Sequence, residues 1–164
     1  MKFKELTKDY WPSVKDIYEE GIATGNATFQ SSAPTWDEWN TSHVEKARII
    51  AVDDNDEILG WAALTPVSGR CVYAGVGEVS VYVSANARGK GVGKALLNEL
   101  IRQSEENGFW TLTAGIFPEN EASLKIHRNA GFKVLGIREK IGKMNGQWRD
   151  TVLLERRSTV VGID

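Results

Sequence analysis

The chain has 164 residues, with 20 basic and 22 acidic side chains, a net charge of −2, 41% hydrophobic residues and one cysteine. That is the composition of one ordinary soluble domain that buries a core without disulfide or metal, and it offers no basic footprint for nucleic acid or an anionic membrane. No apolar run reaches the length of a membrane span, and the opening MKFKELTKDYW meets polar and acidic residues too soon for a secretory signal, so a cytoplasmic location is expected.

No linker or repeat divides the sequence, which reads as a single domain over 1–164. Lys2 to Leu6 alternates like a strand, and Thr7 is placed to cap a helix over Tyr10 to Glu20 with Val14, Ile17 and Tyr18 inward. Gly21 to Pro34 has no period. Thr35 then opens a short helix carrying Trp36 and Trp39. Ile49–Val52 and Ile58–Leu64 are strands joined by Asp53-Asp54-Asn55-Asp56, a solvated turn that lacks the glycine and terminal glutamate of a calcium loop. Glu78 to Val83 is a strand with Val79, Val81 and Val83 on one face, and Gly75 and Gly77 before it are expected to loosen the approach to Glu78. From Gly91 to Gly108 the period is helical, with Val92, Ala95, Leu96, Leu100 and Ile101 on the inner face. Trp110 to Ile116 is a strand, Asn120 to Ala130 a helix closed by Gly131, and Phe132 to Leu135 a further strand. Ile137–Ile141 and Trp148–Glu155 flank the hairpin dipeptide Asn145-Gly146. The order β-α-α-β-β-β-α-β-α-β-β predicts an α/β fold, a twisted mixed sheet with helices on both faces.

Sixteen glycines exceed the usual share of about 7%, and Gly89, Gly91 and Gly93 alternate between a strand and a helix, where backbone N–H groups and the helix dipole hold anions. The segment Arg88-Gly89-Lys90-Gly91-Val92-Gly93-Lys94 is not a P-loop, which needs glycine at Arg88 and Ser or Thr at Ala95. Nor is it a dinucleotide fingerprint, which needs glycine at Lys94 and an acid ending the next strand.

The spacing Arg-x-x-Gly-x-Gly at Arg88, Gly91 and Gly93, after Ser80-Val81-Tyr82-Val83, resembles the acyl-CoA loop of the GNAT superfamily of N-acyltransferases. Thr28-Phe29, Glu78, Phe117 to Ser123, Leu124 to His127, Gly131-Phe132 and Gly146 to Asp150 extend the resemblance to its phosphinothricin acetyltransferase-like branch. Only Arg156 to Asp164 stands outside it, as a polar tail. The resemblance implies a central, mostly antiparallel sheet and acetyl-CoA as cofactor. It also implies an N-acetyltransferase acting on a small amino-acid-like amine of the phosphinothricin, methionine sulfone or methionine sulfoximine class, and a homodimer. The exposed residues near Trp148 and Val152 are the expected interface. Acetylation of protein or peptide amines, and a non-catalytic acyl-CoA-binding module, are the rival readings.

The same resemblance distributes the roles. Glu78 is the general base that takes the ammonium proton. Val81, Tyr82 and Val83, with a bulge splaying their strand, face the acyl and pantetheine groups, while Arg88, Gly89, Lys90, Gly91, Val92, Gly93 and Lys94 hold the pyrophosphate. Asn120, Ser123 and His127 share one helix face. Asn120 and Ser123 reach the pantetheine amides, with helix capping by Asn120 the competing reading. His127 either protonates the leaving thiolate or bonds Glu78, or simply packs beside Phe132. Arg70 and Tyr73 are expected to meet an acidic substrate, and Phe29 with Trp36 to wall an apolar pocket, although Trp36 and Trp39 fit the core equally well. Cys71, without a histidine nearby in sequence, is no nucleophile. His43, in a polar stretch, reads as a surface residue.

Overall fold

The alternating segments form one seven-stranded sheet in the computed structural model, which describes residues 1–164. Strands β1 (Lys2–Glu5), β2 (Ile49–Val52), β3 (Ile58–Pro66), β4 (Val76–Val83), β5 (Thr111–Ile116), β6 (Lys133–Met144) and β7 (Gln147–Arg157) lie in the order β1-β2-β3-β4-β5-β7-β6. All neighbours are antiparallel except β4 and β5. Helix α3 (Val92–Glu106) crosses between those two, the kind of connection a parallel pair requires.

The two-residue alternation of the central strands sorts side chains into two cores. Ala62, Leu64 and Val79 pack with Leu96, Leu97 and Leu100 under α3, and Leu124 of α4 (Glu121–Asn129) joins them. Trp61 and Ala63, on the other face, meet Val14, Ile17 and Tyr18 of α1 (Trp11–Ala23) and Trp39 of α2 (Trp36–Ser42). The three α3 leucines are wholly buried, each worth roughly 1.5–3 kcal/mol against exposure. Packing therefore holds α3, whose start has no side-chain cap. No helix is long and apolar enough to cross a membrane.

Several local expectations change. Thr7 precedes a 3-10 turn, Lys8–Tyr10, and makes no capping bond; α1 starts at Trp11 and continues past Glu20 to Ala23. The short helix does open on Thr35, in a reciprocal capping box with Glu38. The two strands expected at 132–135 and 137–141 are one strand, β6, whose register against β7 slips twice. The polar tail is tied down, since Ser158 is buried and the Arg157 guanidinium donates to the carbonyls of Val161 and Gly162. Val152 lies in the core, leaving Trp148 exposed without it. Gly75 packs rather than loosens, because the Trp110 ring lies 2.1 Å from where a Cβ would stand. His43 is half-buried, stacked on Trp39 with ring centroids 4.1 Å apart.

Candidate active site

Strands β4 and β5 pair only from Val76–Thr111 to Glu78–Thr113. Beyond that point β4 stays with β3 through Val83 and β5 stays with β7 through Ile116, so the two strands part. The opening is a cleft of about 570 Å³. No bulge produces it: the β3–β4 register runs unbroken from Gly60–Val83 to Pro66–Gly77, and the strands separate because each follows its other neighbour.

Backbone direction at the gap follows from two hydrogen bonds. The Ser84 N–H donates to Leu59 O toward β3, whereas Gly75 O accepts from the Trp110 N–H toward β5. Strand alternation then turns the N–H and C=O groups of Val81 and Val83 toward the gap, where no strand pairs with them. An extended, amide-bearing ligand is received at such an edge as an added strand.

The glycine loop leaves β4 through a 3-10 turn, Ala85–Ala87. Gly89 and Gly91 take φ of 76° and 82°, left-handed values that a side chain would strain. Backbone N–H groups from Arg88 to Lys94 find no acceptor within the chain, and they gather at the positive end of α3. Arg88, Lys90 and Lys94 are exposed around them. Gly93 serves packing as well. A Cβ there would stand 3.4 Å from both Val83 and Ile126, so it is the small residue that seats α3 against β4 and α4. These free donors and the unpaired strand edge fit the pyrophosphate and the pantetheine arm of coenzyme A.

Glu78 stands in the cleft wall, at the last paired position before the strands part. Gly115 opposite it lacks a side chain and leaves room for its Oε1. Cleft water reaches the carboxylate, yet the walls crowd it enough that burial raises its pKa, an effect opposed by the charge of Arg138. His127 is buried on α4, and its ring meets Phe132 edge-on at 5.1 Å while lining the same cleft. Its Nδ1 lies 2.8 Å from Ser123 O. A carbonyl only accepts, so Nδ1 carries the proton; burial also lowers the pKa, and the neutral ring offers Nε2 as an acceptor. Packing and lining thus coexist, and there is no His127–Glu78 bond. Asn120 caps α4 through the Ser123 N–H and donates its amide to Asn26 O, which ties the helix start to the loop after α1.

The cleft brings together Phe29, Glu78, Val81, Tyr82, Asn120, Ser123 and His127 from the expected set. Phe29 packs edge-on against Phe117 at 4.9 Å. Arg70 and Tyr73 are outside the lining, exposed on a short turn with the guanidinium 5.6 Å from the Tyr73 ring, and Cys71 sits on the same turn. Trp36 belongs to the aromatic core with Trp11 and Trp39. Residue patterning did not single out the β6–β7 wall of Arg138, Ile141, Gly142 and Thr151, nor Arg149. Arg149 donates to Gly25 O and to Asn26 Oδ1 at 2.9 Å, pairs with Glu119 at 3.1 Å, and lies over the Phe117 ring. The Gly-Gln-Trp-Arg-Asp run was the available signal for it.

A family model described as the acetyltransferase (GNAT) family matches residues 4–132. A phosphinothricin N-acetyltransferase of Alcaligenes faecalis is 33% identical over 153 residues, 90% of this chain and 78% of that one. An L-methionine sulfoximine/L-methionine sulfone acetyltransferase of Pseudomonas paraeruginosa is 29% identical over 152 residues, 88% of this chain and 87% of its own. The crystal structure of a GNAT superfamily phosphinothricin acetyltransferase from Sinorhizobium meliloti in complex with AcCoA superposes with a TM-score of 0.89 at 28% identity, covering 99% of this chain and 91% of that one.

Proposed function

The chain belongs to the GNAT family of acetyltransferases and is an acetyl-CoA-dependent N-acetyltransferase; from that premise we propose that its acceptor is the amine of a small amino-acid-like compound, attacked directly in a ternary complex. The observation that carries this reading is the parting of β4 and β5, which sets a carboxylate, Glu78, in the wall of the cleft opened by an unpaired strand edge. The names of the two relatives supply the substrate class, and phosphinothricin, methionine sulfone and methionine sulfoximine are its first candidates.

Bound acetyl-CoA supplies the thioester carbonyl: a C–N bond forms to it as the C–S bond breaks, and sulfur leaves with one of the two protons the ammonium gives up, the other passing to Glu78. Glu78 takes its proton directly or through one water and returns it to solvent. The gap-facing N–H of Val83 polarises the acyl oxygen, and that of Val81 holds the amide chain behind it. The first-turn N–H groups of α3, with Arg88, Lys90 and Lys94, hold the pyrophosphate. His127, with Nδ1–H held by Ser123 O, accepts a hydrogen bond at Nε2 from the incoming amine or its relay water. Ser123 supports the ring and the pantetheine. Phe29 walls the acceptor side with Phe117. Cys71, on an exposed turn outside the lining, takes no acyl group.

We assign a homodimer contact to the exposed apolar residues of the terminal hairpin outside the cleft, Val134, Leu135, Ile137 and Trp148. A cytoplasmic location agrees with this chemistry. The function is tested by thiol release from acetyl-CoA against amino acids, methionine sulfone, methionine sulfoximine, phosphinothricin, polyamines and peptides. Turnover of the amino-acid-like amines, with the N-acetyl product identified by mass, is expected. Turnover of peptides alone would move the acceptor to protein amines, and acetyl-CoA binding without turnover of any amine would leave a binding module.

A further inference from the structure

The backbone of Arg138 belongs to the β6–β7 ladder, but its guanidinium is spent on nothing in the fold. It stands on β6 opposite Thr151 of β7 and lines the cleft with Glu78 and His127, yet its side chain takes part in no ion pair or hydrogen bond of the chain. The other arginines around the site and core are engaged. Arg149 ties the loop after α1 to the cleft wall, Arg156 pairs with Glu105 at 2.9 Å, Arg157 clasps the C-terminal residues, and Arg48 donates to carbonyls at the end of α2. Arg138 alone among the cations faces the cleft, and Glu78 is the only acid there.

The strand changes course immediately beyond it. Pairing with β7 breaks immediately after Arg138 and resumes at Gly142–Arg149, so Glu139, Lys140 and Ile141 bulge against Asp150 alone. Lys140 takes a φ of 47° and its N–H donates to the Asp150 carboxylate at 2.8 Å, which holds the bulge. The bulge carries Ile141 and Gly142 into the cleft, and Gly142 lies flat against Phe29, whose ring is 2.8 Å from where a Cβ would stand.

A cleft that offers one carboxylate and one unpaired guanidinium has the polarity of a zwitterion in reverse. Glu78 draws an ammonium group, and the planar donor fork of arginine matches a carboxylate. The geometry points to Arg138 as the specificity-determining residue that reads the carboxylate of the amine substrate and so selects amino acids over simple amines. Arg70, the arginine the sequence suggested for this role, lies outside the lining with its guanidinium over Tyr73. The assignment rests on the acetyltransferase reading above.

The test compares each amino acid with its own carboxamide in steady-state kinetics, for the wild type, Arg138→Met, Arg138→Lys and Arg70→Met. The wild type is expected to favour the acid. Arg138→Met is expected to raise KM for the acid about 10–100-fold, with a smaller effect on kcat, and to erase the acid-over-amide preference, while Arg138→Lys restores part of it. An acid-to-amide ratio that survives in Arg138→Met, or that is lost in Arg70→Met instead, would overturn the assignment. If the wild type acetylates no amine at all, the acetyltransferase reading fails and the assignment goes with it; if amines are acetylated without regard to the carboxylate, only the assignment fails.

Discussion

Burial acts in opposite directions on the acid and the imidazoles of this molecule. It raises the pKa of the Glu78 carboxyl and lowers those of the His127 and His43 rings. For His43, burial lowers the pKa to about 4 against the hydrogen bond it gives Trp39 O, and Arg48 adds to the lowering. The unfolded chain takes up this proton at the ordinary histidine pKa and the fold does not, so stability is fully present above about 6.5 and is lost as the pH falls toward 4. Urea unfolding at pH 7 and pH 5 is expected to show a steeper loss for the wild type than for His43→Gln, by at most about 2 kcal/mol. Equal slopes would show that His43 is not held neutral. The signal for this burial was present in the sequence, since His43 follows Trp39 by four residues and helix neighbours at that spacing meet. Its polar neighbours Glu45, Lys46 and Arg48 concealed it.

Elements formed by local chemistry were the legible ones. The loop from Arg88 to Lys94 is specified by glycine spacing and by the change from strand to helix period, and it folds as its spacing predicts. Gly91→Val places a branched side chain at a left-handed φ, with a cost of roughly 1–2 kcal/mol, and turns a side chain out where the free N–H groups gather. Calorimetric titration with coenzyme A is expected to show a loss of affinity of at least about 10-fold, larger than the loss of folding stability implies; unchanged affinity would remove the loop from the pyrophosphate site. The β6 bulge was not legible. It depends on Asp150 holding Lys140 across the hairpin, and period counting from Ile137 to Ile141 sees only a regular strand. Gly142 owes its place in the cleft to that bulge, and Arg138, on the regular stretch before it, carries no mark in the alternation of Ile137 to Ile141 that sets it apart from a solvated strand cation. Arg70 is near Glu78 in sequence, but the short turn that carries it lies outside the cleft lining.

At the scale of the whole molecule, the order of strands and helices was readable because each segment buries one clean face on one of two cores. The parting of β4 and β5 was not readable from alternation, since both strands keep their period throughout; it arises from which neighbour each strand follows. The long edge strand β6, with Ile137 60% exposed and Trp148 58% exposed beside it, is the face assigned to a second copy. Light scattering after size exclusion is expected to give a dimer for the wild type and a monomer for Trp148→Asp. A monomeric wild type would remove that interface.

The role proposed for Glu78, in the cleft between the parted strands, is to take the proton of the attacking amine. It is tested most directly by the pH dependence of kcat/KM for acetyl transfer in the wild type and Glu78→Gln. Burial raises the Glu78 pKa, so the wild-type rate is expected to rise with pH through a value above that of an ordinary glutamate. Glu78→Gln should lose about 10²–10⁴-fold and with it this rise. An unchanged rate and an unchanged profile in Glu78→Gln would show that Glu78 is not the base.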